Sequence, residues 1–220
     1  MPLWAKIAPL QAVRELLETI EDAGFSAYLV AQQFFKAANS LGTAAAALFA
    51  TGAVAREVEN RTIEFLLTRP WSRRRILASK FVAGALALVV PIVASSASAA
   101  LLVRVIPDIG ESVPVGPILL ASAHCSLFLV AIYAATFLGS TLSSDANRMA
   151  FVVLGVSTLS FALYMVNEVT HFSFYRYSDV PTYLRIFREG RLPVGLDLAL
   201  VGVIGALYVA ADRIFARRDF

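Results

Sequence analysis

The chain has 220 residues, 58% of them hydrophobic and only 16% charged, and its mean hydropathy is +0.70. A soluble domain has about a quarter charged residues, so the composition excludes an ordinary soluble domain and indicates a membrane protein. The net charge of +3 is a weak argument for nucleic-acid binding, and we expect none, because the basic residues concentrate beside apolar runs. The single cysteine, Cys125, excludes a disulfide framework within one chain.

The first predicted element is an amphipathic helix over residues 10–22. We expect residues 1–36 to lie on a membrane surface or against a helix bundle, without a cleavable signal peptide. Apolar side chains recur there at helical spacing, with charged and amide side chains on the other side: Leu10, Val13, Leu16, Leu17 and Ile20.

Five apolar runs follow, each long enough to cross a membrane. At 1.5 Å per residue, about 20 helical residues cross a hydrocarbon core of roughly 30 Å. The sequence therefore predicts an all-α integral membrane protein, with residues 1–220 forming a single membrane domain. The predicted spans are approximately residues 37–55, 81–103, 117–142, 149–166 and 194–211.

The first two spans are joined by residues 56–80, the connecting segment, which carries seven basic and three acidic side chains. Its acids lie in the first half, where a helix N-terminus favours them, and Glu57 and Arg61 are spaced as a helical ion pair. Pro70 ends that helix, because the residue before a proline is pushed out of the α region. Ser72 can cap a second helix that begins at Arg73. The pattern predicts a helix, a rigid turn and a basic helix, able to transmit force from a soluble partner.

Basic residues also set the predicted orientation. If the connecting segment is cytoplasmic, Arg148 and the C-terminal arginines are cytoplasmic too, which gives eleven basic residues inside and eight outside. Residues 167–193 then lie outside, and their aromatic composition is typical of a helix or hairpin at the headgroup level. Five spans with an inner C-terminus place the N-terminus outside. Either it is translocated unaided or a first span is missing from this chain, and the charge pattern favours the second interpretation.

The connecting segment resembles the cytoplasmic signature of ABC-2 type transporter permeases. The likeness extends over about residues 25–220, with Phe172–Tyr177 and Ile214–Phe220 as weaker matches. That family usually has glycine before the threonine, whereas this chain has Arg61, which gives less support for a special backbone turn there. The signature is matched at Glu57, Glu59, Thr62, Glu64, Leu66, Leu67, Pro70, Ser72, Arg73, Ile76, Leu77 and Lys80.

The resemblance implies a permease subunit that moves a substrate, by export, across a prokaryotic cell membrane. It also implies a separate ABC ATP-binding subunit, a second permease subunit in a homodimer or heterodimer, and a first helix that this chain lacks. ATP would be bound and hydrolysed by the partner, so no cofactor is expected in this chain. The implied contacts with the ATP-binding subunit are Glu57, Glu59, Thr62, Glu64, Phe65, Leu66, Leu67 and Pro70. The implied anchors at the inner leaflet are Arg73, Arg74, Arg75 and Lys80.

Other interpretations of the same residues stay open. The connecting segment could be a basic anchor for anionic lipid, and the chain could be a non-transporting scaffold or assembly protein. His124 and Cys125 could contact a metal or substrate, although packed polar groups in a bundle are commoner. The sequence contains no phosphate-binding Gly-x4-Gly-Lys-Ser/Thr motif and no His-Glu-x-x-His motif, so we expect neither a catalytic site nor a metal site.

Overall fold

The computed structural model describes residues 26–68, 70–105, 114–166 and 168–218, without the side chains of Leu66 and Leu67. The amphipathic helix expected over residues 10–22 lies outside these ranges. Every regular element within them is helical. In chain order these are a π-helical segment Val30–Ala38, α1 (Asn39–Ala53), α2 (Ala55–Glu59), α3 (Ile63–Leu67), α4 (Arg73–Val105), α5 (Val115–Leu142), α6 (Ala146–Tyr164), two 3₁₀ turns (Thr170–Phe172 and Phe174–Ser178), α7 (Val180–Glu189) and α8 (Val194–Arg217).

Five of the described helices are long and apolar enough to cross a membrane, which confirms the predicted all-α class with five spans. They extend beyond the predicted apolar runs at most ends, because polar and charged residues continue the helices past their hydrophobic centres. The candidate spans are Ser26–Glu59, Arg73–Val105, Val115–Leu142, Ala146–Tyr164 and Val194–Arg217.

The first of these helices differs most from the expectation, whereas the second begins at Arg73 as predicted. The first includes the π-helical segment and runs through α2, with a backbone irregularity at Val54 (φ −127°, ψ −55°). The start of the connecting segment is therefore an extension of the first span. In the second, α4 is a single 33-residue helix that contains Pro91.

The chain divides into two compact units, each built from several stretches of sequence. Unit 1 comprises the described parts of residues 1–40, 93–125 and 156–193, and includes the π-helical segment and α7. Unit 2 comprises those of residues 41–92, 126–155 and 194–220, and includes the connecting segment and α8. Helices α4, α5 and α6 each contribute residues to both units.

The core of unit 2 is apolar and aromatic. The ring of Phe81 lies within 5.3 Å, centroid to centroid, of the Tyr133, Phe137 and Tyr208 rings. Helix α5 approaches α4 closely at Gly84, where an added Cβ would come within 2.2 Å of the Tyr133 hydroxyl. The Tyr133 hydroxyl donates to the Lys80 carbonyl at 3.2 Å. The buried members of this core are Ala46, Ala50, Val54, Ile63, Leu77, Leu88, Tyr133, Phe137, Ala211 and Phe215.

Unit 1 is held by a buried network of uncharged polar groups. The Asn39 side chain donates to the Ser178 carbonyl at 2.7 Å and accepts from the Ser178 hydroxyl at 3.0 Å. The same hydroxyl lies 2.5 Å from the hydroxyl of Tyr183, whose ring stacks on Phe34 at 5.1 Å. Burial raises the pKa of Tyr183 well above its ordinary value, so this network stays neutral at physiological pH.

His124 and Cys125 are both buried within unit 1. The Nε2 atom of His124 lies 2.8 Å from the Tyr177 carbonyl, and its ring makes an edge contact with the Tyr183 ring at 5.6 Å. Among the described residues, no group of three or more His, Cys, Asp or Glu side chains is placed to hold a metal ion. The geometry matches the packing interpretation of these two residues.

Candidate functional site

The connecting segment contains a sharp break that was not predicted. Arg61 has a left-handed backbone (φ +56°), and it is the only non-glycine residue with positive φ in the described ranges. The Thr62 amide donates to the Glu57 carbonyl at 2.9 Å, and the Arg61 amide donates to the Val58 carbonyl at 3.1 Å. These bonds form a Schellman motif, which ends α2 and normally places glycine at the left-handed position. The turn therefore exists although the chain lacks the glycine of the family signature.

The break redirects both predicted helices of the segment. The expected helical ion pair between Glu57 and Arg61 does not form, because a left-handed residue carries its side chain off the helix. Glu57 instead forms an ion pair with Lys80 on α4, where both side chains are largely buried. A new helix, α3, begins at Ile63 and ends at Leu67, which confirms the predicted stop before Pro70.

Two further contacts attach α2 to other helices of unit 2. The Glu59 carboxylate accepts from the Ala146 amide at 3.2 Å, so a negative charge sits at the N-terminus of α6, where the helix dipole favours it. The Ser140 hydroxyl accepts from the Ala55 amide at 2.9 Å and thereby connects α2 to α5. Helix α2 is thus bonded to α4, α5 and α6 at once.

Helix α3 has a buried side and an exposed side. Ile63 is only 2% exposed and belongs to the unit 2 core. Phe65, two residues later, is 76% exposed, and Glu64 beside it is exposed as well. Thr62 and Pro70 are also exposed. Among the predicted contact residues whose side chains are described, Glu57 and Glu59 bond to other helices, although Glu59 is exposed, and the others form an exposed group.

The basic residues after the turn each meet a protein group. Ser72 caps α4 as predicted, by accepting from the Arg75 amide at 3.3 Å. Arg73 donates to the Arg218 carbonyl at 2.7 Å, and Arg74 pairs with Asp212 on α8 at 3.2 Å. The Arg75 guanidinium lies 4.8 Å above the Trp71 ring centroid. The side chain of Arg74 remains 76% exposed.

Sequence reasoning missed the role of Arg218, which it treated only as a cytoplasmic charge. The Arg218 guanidinium donates to the carbonyls of Thr141 and Ser143, the latter at 3.1 Å. These carbonyls lie at the C-terminal end of α5, where they lack partners within the helix. The sequence shows only an arginine that follows an apolar run, and this pattern does not indicate which groups the arginine bonds.

Comparison with known proteins identifies the chain's relatives. Residues 7–171, about three quarters of the chain, match the family model described as ABC-2 family transporter protein. No curated protein sequence matches the chain. The family consists of membrane subunits of ABC transporters, which are distinct from the subunits that hydrolyse ATP. With its five apolar helices, the chain belongs to the ABC-2 transporter family and is a multi-pass permease subunit of an ABC transporter.

Proposed function

We propose that this permease exports its substrate by alternating access, driven by a separate ATP-binding subunit that docks on the exposed side of α3. The observation that carries the proposal is the exposed Phe65 on a short helix whose neighbouring Ile63 is buried. An exposed aromatic side chain on a fixed base is typical of the anchor residues of protein interfaces. Glu64 beside it supplies a charge for orientation.

The bonds of α2 support a mechanical role for the connecting segment. A displacement of α3 reaches α4 through the Glu57–Lys80 pair and α6 through the bond between Glu59 and the Ala146 amide. Because these contacts are charged and short-range, α2 moves together with the bonded ends of α4 and α6. We assign Glu57 and Glu59 as positioning residues, and Glu64, Phe65 and Leu66 as contacts with the partner.

The rest of the predicted arrangement belongs to the same proposal. Thr62, Leu67 and Pro70 complete the docking surface, and Arg73, Arg74, Arg75 and Lys80 hold the start of α4 at the inner leaflet. Two permease subunits, identical or different, and the ATP-binding subunits form the transporter in a prokaryotic cell membrane. The connecting segment and the C-terminus face the cytoplasm.

The docking claim is tested with the double variant Glu64→Arg, Phe65→Ala. We expect it to insert normally but to lose co-purification with the ATP-binding subunit and substrate-stimulated ATP turnover. The matched control is Glu168→Arg, Phe172→Ala, which alters an exposed acid and an aromatic residue that is 71% exposed elsewhere in the chain. Unchanged association of the first variant contradicts docking on α3.

Direction and transport itself need a second measurement. Inverted membrane vesicles that contain the whole transporter should accumulate substrate when ATP is added outside, because the ATP-binding subunits then face the medium. A non-transporting scaffold would associate with the ATP-binding subunit but show no substrate-stimulated turnover. If right-side-out vesicles take up the substrate instead, the direction of transport is import and not export.

A further inference from the structure

Helix α7 has an apolar face that is used within the protein. Phe34 of the π-helical segment stacks on Tyr183, and the helix packs against that segment. This face is therefore covered by unit 1 and is not available for insertion into a bilayer. The buried side chains of α7 are Val180, Tyr183, Leu184, Ile186 and Phe187.

The opposite face of α7 carries two exposed arginines. Arg185 and Arg188 are three residues apart and so project from neighbouring positions of one helix face. Both line an open cavity of about 400 Å³, whose other walls are Pro181, Leu184 and Glu189. Among the described residues, neither guanidinium forms an ion pair.

The position of α7 along the chain brings this cavity near a membrane surface. The π-helical segment on which α7 packs is the first part of the candidate span Ser26–Glu59. Only residues 190–193 separate α7 from the span Val194–Arg217. A helix tied to the ends of two spans in this way lies at the depth of lipid headgroups.

We propose that Arg185 and Arg188 bind the phosphate of an anionic phospholipid, with its glycerol backbone against the exposed Pro181. Two guanidinium groups on one helix face supply several donors for phosphate oxygens, and the Pro181 ring suits the first carbons of the acyl chains. A cavity of this size holds a headgroup. The Glu189 carboxylate at its edge opposes the anion and sets a moderate affinity, so the lipid can exchange.

The test uses the full chain in a neutral detergent and native mass spectrometry, with phosphatidylglycerol, phosphatidylcholine and inorganic phosphate titrated separately. We expect Arg185→Gln, Arg188→Gln to weaken phosphatidylglycerol binding by about tenfold or more, since each surface arginine adds measurably to anionic lipid affinity. The control Arg104→Gln, Arg191→Gln removes two exposed arginines that do not line the cavity and should change binding less than threefold. Glu189→Gln should strengthen phosphatidylglycerol binding.

The remaining outcomes each decide the proposal. Because both arginines are exposed, the variants should fold, and Glu189→Gln gives a readout in the opposite direction even where the double variant is unstable. Equal loss in the control variant shows that overall charge, not this cavity, binds the lipid. Competition by inorganic phosphate at the same concentration as phosphatidylglycerol assigns the cavity to free phosphate and overturns the lipid claim, as does equal binding of phosphatidylcholine.

Discussion

Units 1 and 2 use charged residues in opposite ways. In unit 2, charges make the internal connections: Glu57 pairs with Lys80, Glu59 bonds the α6 N-terminus and Arg218 bonds the end of α5. In unit 1, the buried bonds between segments distant in sequence join neutral groups such as Asn39, Ser178 and Tyr183. The arginines of α7 remain outside this network.

This difference in bonding indicates which unit can change its arrangement. Charged contacts between helix ends fix the ends relative to each other but can be exchanged when a partner supplies a competing charge. A buried neutral network gives no such exchange, because any broken bond leaves an unsatisfied polar group out of water. We infer that unit 2 is the part built to respond to a partner, and unit 1 the part built to hold its arrangement.

The largest effect should come from breaking the neutral network. Tyr183→Ala removes a fully buried ring and leaves the hydroxyl of Ser178 without one of its partners. We expect the free energy of unfolding to fall by about 3–5 kcal/mol, from the cavity and the lost bond. Thermal or denaturant unfolding in detergent measures it. Tyr177→Ala is the control, since that side chain is 50% exposed and only its backbone carbonyl meets His124. An equal fall in the free energy of unfolding in both variants would show that the buried network does not stabilise unit 1 more than an exposed side chain does.

The charged contacts of unit 2 should give the next largest effect. Glu57→Gln and Lys80→Met each leave a largely buried charge without its partner, and we expect each to cost about 1–3 kcal/mol. The double variant should cost clearly less than the sum, with an interaction energy of about 1 kcal/mol or more. The same cycle at Arg74 and Asp212 should give about 0.5 kcal/mol or less, because Arg74 is mostly exposed. Additive costs at Glu57 and Lys80 would show that their ion pair does not hold α2.

The turn between α2 and α3 predicts a gain in stability. Arg61→Gly removes the steric cost of a left-handed backbone and should stabilise the protein by about 0.5–1 kcal/mol. Arg56→Gly is the opposite control, since Arg56 lies inside α2, where glycine costs about 1 kcal/mol. Both are measured by unfolding in detergent. A loss of stability in Arg61→Gly would mean that α2 and α3 form one continuous helix.

The smallest effect concerns the N-cap of α7. Burial raises the pKa of Asp179, and bonds to Thr182 oppose that shift. A carboxyl with a raised pKa keeps its proton longer in the folded state, so it lowers stability as the pH rises above its ordinary pKa. Asp179→Asn can still accept from the Thr182 amide, which Asp179 does at 2.9 Å. We expect the variant to be slightly more stable than the natural chain at pH 7, with the advantage vanishing towards pH 4. If the stability advantage of Asp179→Asn grows as the pH falls, the pKa of Asp179 is not raised in the folded state.

Much of this architecture could be predicted from local sequence. The apolar runs locate all five spans, since length and hydropathy alone decide whether a helix can cross a membrane. Pro70 and Ser72 locate the end of α3 and the start of α4 for stereochemical reasons that act within a few residues. The limits of the spans were underestimated because helices continue through polar residues that a hydropathy argument excludes.

The remainder depends on contacts between residues distant in sequence. Nothing local to Glu57 indicates that Lys80, 23 positions away, is its partner in place of Arg61. The left-handed turn at Arg61 was missed for a related reason, because arginine has no preference for that backbone and only the bonds around it hold the conformation. The carbonyls that Arg218 bonds could not be predicted either, because a long arginine side chain can reach carbonyls in many directions.

The exposure of α3 to a partner is tested most directly by labelling a single introduced cysteine. The native Cys125, the only cysteine of the chain, is fully buried, so Phe65→Cys places an accessible thiol on the exposed side of α3. A membrane-impermeant maleimide should label it only from the cytoplasmic side, and the ATP-binding subunit should protect it, whereas Phe172→Cys should stay unprotected. Labelling of position 65 from outside, or full labelling in the presence of the ATP-binding subunit, would contradict the account.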